Sequence, residues 1–403
     1  MGVTIGALRY AGRRLAATPG AVGAMAVLAV AGWQGLTVHL NYQAEWTALF
    51  CVGGSRPLPP ELDNRTYRFA GSTGYDGQFY RLVAHDPWLT RGYSKYADDA
   101  AFRWRRILVP GVVWALAGGA RERIDGTYVV VVLLFTGLGA YALSCWLLRR
   151  GRHPAGGLLF PLLPGTLISI DRMTVDVALY CLLFLCLIWD EERQTVRLWL
   201  GLALCGLVRD LGFLVIGAFF LAEAAAFRFR RAAWMLAAAL PGAAWYAWLR
   251  FLLSTASSQP LAPEVPQWIF YEPGYGILLR MLNPVHYDLS RGKAILAVAL
   301  DEVALAGLVA GLLLSVVLFR PRKAGKLEWV GLAFAALFVA VSSDWFWRDP
   351  FSWPRAFTPM LASLVFSGRQ TARRWVWMPL AAVTLRVGLQ FGTQVEGILR
   401  AIR

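Results

Sequence analysis

Charge is scarce in this chain, histidine scarcer, and polar cysteine nearly missing. Only 16% of the 403 residues are charged while 57% are hydrophobic, with a mean hydropathy of +0.49. That balance excludes an ordinary soluble globule. Four histidines exclude a His-rich zinc centre. Of five cysteines, Cys145, Cys181, Cys186 and Cys205 lie in apolar runs and Cys51 alone in a polar loop. None has zinc spacing, which argues against a disulfide framework and leaves apolar packing as their role. A nucleophile elbow, a phosphate-binding glycine loop and a zinc-type helix motif are all missing. Without a clear internal repeat, the chain also lacks the signature of an inverted-repeat transporter.

What is present is a series of apolar runs. They fall at about 17–40, 127–148, 156–170, 174–190, 196–208, 211–227, 232–253, 295–319, 327–342, 355–367 and 375–392. This pattern predicts an all-α, polytopic transmembrane helix bundle of about eleven helices, forming a single domain over 1–403. The first run follows Arg9, Arg13 and Arg14 without a small-residue cleavage site, so it reads as a retained helix and not as a removed signal peptide. Ile107–Ala120 is short and interrupted by Pro110, which predicts a helix lying along the membrane surface or dipping in from it. Whether 196–227 is one helix or two turns on Arg209-Asp210 in its middle.

Forty basic residues against twenty-five acidic ones give a net charge of +15. The basic residues stand in short clusters between apolar runs: Arg149/Arg150/Arg152, Arg228/Arg230/Arg231, Arg320/Arg322/Lys323/Lys326 and Arg369/Arg373/Arg374. Such clusters mark cytoplasmic loops, not nucleic-acid binding. With a cytoplasmic N-terminus, the polar loop 41–126 and the loops 254–294 and 343–354 then face outward. The rival arrangement, in which 107–120 spans and 196–227 is fused, strands Arg149, Arg150 and Arg152 outside. The preferred arrangement gathers the unusual polar residues at one face, as expected of a site at the membrane boundary.

The richest of these outward stretches is Tyr75-Asp76-Gly77-Gln78-Phe79-Tyr80. Asp76 is either the N-cap of a short helix or a substrate-facing carboxylate; both flanking glycines and both tyrosines point to the second. Tyr75, Gln78 and Tyr80 are the neighbouring substrate-binding candidates. Ionisable groups at membrane depth are functional candidates by default. Asp171 and Asp176 lie in one short turn, as caps or as ligands of a metal or substrate. Arg209 and Arg355 can pair with a phosphate through the planar guanidinium fork, and Arg106 sits at headgroup level beside Arg103 and Arg105. Glu272 and His286 stand among aromatics that form either a sugar-stacking wall or an interfacial belt.

One apolar helix, then a long outward loop with an early Asp, then many helices with short loops resembles the GT-C superfamily of integral-membrane glycosyltransferases. The segment Tyr75 to Tyr80, with His85-Asp86-Pro87 and Arg105-Arg106-Ile107-Leu108, resembles poorly characterised bacterial membrane proteins of that type. The resemblance implies an enzyme in a bacterial inner (plasma) membrane, moving a sugar from a polyprenyl-phosphate donor to a glycan, lipid or protein acceptor at the external face. It implies that Asp76 is the catalytic acid or base, or a ligand of a divalent metal such as Mg or Mn, with Asp171 or Asp176 as further ligands. The chain departs from the pattern in lacking a soluble C-terminal domain and a paired acid beside Asp76. A transporter or flippase of a lipid-linked or small polar substrate is the alternative, kept open by Pro161, Pro164 and Arg209-Asp210.

Overall fold

The computed structural model describes residues 18–256, 272–321, 324–367 and 374–403. The described chain is helical, and its strands are the two-residue pieces Val52–Gly53 and Arg68–Phe69, paired in parallel. Among the described residues, four helices are long and apolar enough to cross a membrane: Pro19–Asn41, Arg121–Leu148, Phe229–Thr255 and Arg291–Leu318. Thr195–Val208 and Gly212–Ala225 are shorter apolar helices. Arg209 between them is extended, at φ −171° and ψ 165°, so 196–227 is two helices. Proline breaks a further run. Where 156–170 reads as continuous, a 3₁₀ turn at Pro154–Leu159 is followed by a helix at Pro164–Arg172, because Pro161 and Pro164 cannot donate to the helical ladder. The surface helix expected at 107–120 is the shorter Leu108–Leu116, with Val109, Pro110 and Val113 buried.

Contacts divide the chain into two compact units, Met1–Leu162 with Ser169–Asp210 and Gln394–Arg403, and Leu163–Ile168 with Leu211–Thr393. In the first unit, Pro19–Asn41 begins at Thr18, whose hydroxyl accepts from the Ala21 amide, with Pro19 opening the first turn. This helix crosses Arg121–Leu148 at glycines. A Cβ on Gly23 would lie 2.8 Å from the Gly137 carbonyl oxygen, so the two backbones touch where neither residue carries a side chain. Outside these helices, the segment after Asn41 is a folded cap. Phe69 meets Tyr42 and Tyr67 edge to face and those two rings are tilted on each other, with centroids 5.1–5.6 Å apart. Gly77–His85, Ala100–Trp104 and Leu108–Leu116 complete the cap.

The second unit holds Arg291–Leu318, Lys326–Ala340, Ser352–Phe366 and Met378–Gly388. Its core includes an aromatic cluster in which Trp347 stacks on Phe357 at 5.5 Å and donates from its indole nitrogen to the Val341 carbonyl at 2.9 Å. Sequence reading made 343–354 an outward aromatic loop. Within it Asp344–Arg348 is a helical turn, with Trp347 fully buried and Trp345 70% exposed. A second core feature is ionic. Asp301 lies a third of the way along Arg291–Leu318 and accepts from Arg280, Arg386 and Tyr287, while Arg280 also reaches Glu302 at 2.9 Å.

Candidate active site

The hexapeptide around Asp76 is seated by its backbone. Gly74 adopts φ +79°, and a side chain there would strike the Gly53 amide and the Cys51 carbonyl. A side chain on Gly77 would collide with the Arg172 carbonyl oxygen. The glycines thus permit close packing, and the carboxylate between them is left for other work. Asp76 occupies the N-cap position of Gly77–His85, yet its backbone is helical (φ −52°, ψ −33°) and its side chain makes no capping hydrogen bond. An oxygen that satisfied the helix amides would face back along the chain; this one faces Arg103.

Arg103 donates to Asp76 at 2.8 Å and grips Asp98 with two parallel bonds at 2.8 and 2.7 Å. The other Asp76 oxygen is 3.8 Å from Arg106, which in turn lies 3.5 Å from Asp210 and donates to the Tyr80 hydroxyl. Asp210 is 3.8 Å from Arg209, and Arg209 is paired with Asp176. Carboxylate and guanidinium therefore alternate in an unbroken chain: Asp98, Arg103, Asp76, Arg106, Asp210, Arg209, Asp176. It runs from side chains about a third exposed at Asp98 to none exposed at Asp176. Asp76, at 19% exposed, stands between.

The electrostatics follow from that order. Burial opposes ionisation of Asp98, but the hydrogen bonds and charge of Arg103 outweigh it and hold the carboxyl below the ordinary range. Asp210 behaves alike: burial raises its pKa, while Arg106 and Arg209 lower it further. Arg106 is the most loosely held cation. Both its carboxylate separations exceed the 2.7–2.9 Å of a close charged pair, and its Nε is buried without a hydrogen-bond partner. Arg106 also lies 4.1 Å from the Phe102 ring centroid, and Arg103 lies 4.4 Å from that of Phe79. An anion with several oxygens can take the vacant donor of Arg106 and compete with Asp76 for the rest.

Structure brings Asp76, Tyr80, Arg106, Arg209 and Asp176 into one chain of contacts. Gln78 is also buried there, but its amide is spent on backbone, accepting from Gly53 and donating to Thr73, each at 3.1 Å. Tyr75 lies with its ring 4.8 Å from the Arg172 guanidinium. Asp171 pairs with Arg172 and accepts from Gln394, whereas Asp176 accepts from Thr174 and pairs with Arg209. Arg355, Glu272 and His286 belong to the second unit; Arg355 is buried in the helix Ser352–Phe366, and the other two are exposed. Among the described residues, no group of three or more His, Cys, Asp or Glu is arranged to hold a metal ion.

Sequence reasoning left out Arg103 and Asp98. It assigned Arg103 to lipid headgroups, whereas the side chain is 5% exposed and neutralised by two carboxylates. A signal was there: Asp99 caps Ala100–Trp104 through the Phe102 amide, and Asp98 just before that cap reaches Arg103 five residues on. Comparison of the chain with known protein families, curated proteins and solved structures yields no match.

Proposed function

We propose that the chain is a membrane glycosyltransferase of GT-C type, taking a sugar from a polyprenyl-phosphate donor at the external membrane face. The observation that carries the reading is the partly exposed Asp76 carboxylate, uncapped and shared between Arg103 and the loosely held Arg106. Donor phosphate binds Arg106 through its vacant Nε and the bonds now directed at Asp76. Displaced from Arg106, Asp76 accepts the proton of the acceptor hydroxyl as that oxygen bonds to the anomeric carbon. The bond from anomeric carbon to phosphate oxygen breaks, and its electron pair leaves with the polyprenyl phosphate, whose charge Arg106 and Arg103 balance. Configuration inverts in this single displacement. Base catalysis of this kind is worth roughly 10²–10⁴-fold.

In this scheme Tyr80 orients Arg106, and Asp98 holds Arg103. Asp171 and Asp176 are each engaged by arginine; a divalent metal, if bound at Asp76, would supply charge stabilisation in place of base catalysis. The second reading, a flippase of a lipid-linked substrate, has its own support. The helix breaks at Arg209-Asp210, and Asp176 is fully buried against Arg209, as at the broken helices of transporters. Purified protein in lipid nanodiscs, offered a panel of polyprenyl-phosphate sugars and acceptors, separates the two. Transfer that falls at least a hundredfold in Asp76→Asn supports the enzyme. Full transfer by that variant, or counterflow without covalent product, overturns it.

A further inference from the structure

Among the buried charges of the second unit, Glu223 is 2% exposed and lies at the end of the helix Gly212–Ala225. Three cations converge on it: Lys326 in direct contact, Arg228 at 3.6 Å and Arg231 at 3.7 Å. The nearest further acid along the Lys326 helix is Glu328. Between Glu223 and Arg231 the chain turns into the helix Phe229–Ala237, the start of a span-length apolar segment. That turn therefore sits at the level where a span leaves the hydrocarbon.

The turn is built at a cost. Phe227 adopts φ +57°, the left-handed conformation that a helix end usually gives to glycine. Its amide and that of Arg228 still donate to the carbonyls of Ala224 and Glu223, both at 2.9 Å, so the helix ends normally despite the residue. A phenylalanine in this conformation is strained. Nothing in the packing recovers the strain, because Phe227 is 81% exposed and Phe229 64%, their rings meeting edge to face at 6.1 Å. Trp234 and Leu236, farther along the same helix, are also about half exposed. An exposed aromatic pair, alternating with Arg228 and Arg230 and backed by Arg231 and Lys326, is complementary to one surface. Its rings match the acyl boundary and its cations match phosphate.

We infer that this turn is a docking site for an anionic phospholipid, with the phosphate between Arg228 and Arg231 and the Phe227–Phe229 pair inserted beside the acyl chains. Full-length protein in mild detergent tests it directly. Phosphatidylglycerol is titrated while the thermal midpoint is followed and retained lipid is counted by native mass spectrometry. Phosphatidylcholine and soluble glycerol phosphate serve as the comparison probes.

Saturable stabilisation by phosphatidylglycerol alone is expected, weakened about thirtyfold in apparent affinity by Arg228→Gln with Arg231→Gln, since each interfacial cation contributes comparably. Phe227→Gly should melt higher than the parent without lipid and respond less to phosphatidylglycerol. That opposite pair of shifts is readable even if the double variant fails to fold. Equal stabilisation by phosphatidylcholine or glycerol phosphate, a double variant within twofold of the parent, or an undiminished lipid response in Phe227→Gly would each overturn the site.

Discussion

Two ionic clusters contrast within this molecule. Around Asp301 the charges balance and close on the central carboxylate, with Glu302 at the edge 35% exposed and Arg280 Nε buried without a hydrogen-bond partner. Arg280 and Arg386 face Asp301 and Glu302, Tyr287 completes the ring, and Asp301 and Arg280 are each 1% exposed. Around Asp76 the charges alternate along an open chain with carboxylates at both ends; Asp76 itself is 19% exposed, and Arg106 stands 3.8 and 3.5 Å from its two carboxylates. A buried carboxylate held by three direct donors is costly to loosen, so the closed cluster on a span-length helix serves as a pin. An open one can exchange a partner, which is what binding an anion and freeing a base require. Both consist of arginine and acid; what separates them is how directly the central carboxylate and its cations are paired.

The contrast predicts opposite signatures. Asp76→Asn should lower sugar transfer by roughly 10²–10⁴-fold while the melting temperature barely moves, since Arg103 keeps Asp98. Asp301→Asn should do the reverse, costing about 3–5 kcal/mol of stability by stranding the buried Arg386 guanidinium and leaving Arg280 with Glu302 alone. Melting curves in detergent beside transfer assays give both readouts, and a large stability loss in Asp76→Asn would erase the distinction.

Next in size is Gly77→Ala. Its new methyl group meets the Arg172 backbone, so the cap must shift at a cost of about 1–3 kcal/mol and carry Asp76 with it. Activity and stability should then fall together, unlike in Asp76→Asn. A normal crystal structure and normal transfer in Gly77→Ala would mean that the close approach has no bearing on the site.

The smallest effect concerns His85, in the same cap. Burial lowers its pKa, and the hydrogen bond to Asp125 only partly opposes this. The unfolded chain then takes up a proton that the folded chain refuses, so stability is complete above the unfolded value of about 6.5 and falls as the pH drops below it. Melting temperatures between pH 8 and 5 should show this slope, and His85→Gln should flatten it. Asp98, held low, adds a loss only below the ordinary carboxylate range.

Much of this was readable beforehand. The helical class and the start of a short helix after Asp76 follow from local patterns of apolar residues, glycine and charge, whereas the break at Arg209-Asp210 was left open until the extended backbone of Arg209 decided it. The role of the paired glycines was not, because the atoms they make room for belong to Cys51, Gly53 and Arg172. Arg103 looked like a surface arginine for a similar reason: burial depends on Asp76, 27 residues away. The hold of the Gln78 amide on the Gly53 and Thr73 backbone was out of sight as well, since Gly53 lies 25 residues away.

By itself, then, the sequence determined where apolar helices form, where proline ends them, and which short stretch carries an unusual carboxylate. Those outcomes depend on neighbours within a turn or two, whose preferences are encoded locally. Tertiary structure alone decided that Asp76 would meet Arg103 and Arg106, that Asp176 would meet Arg209, and that Asp301 would be sealed while Asp76 stayed open. Coulomb attraction between side chains dozens of residues apart acts only after packing has brought them together and excluded water.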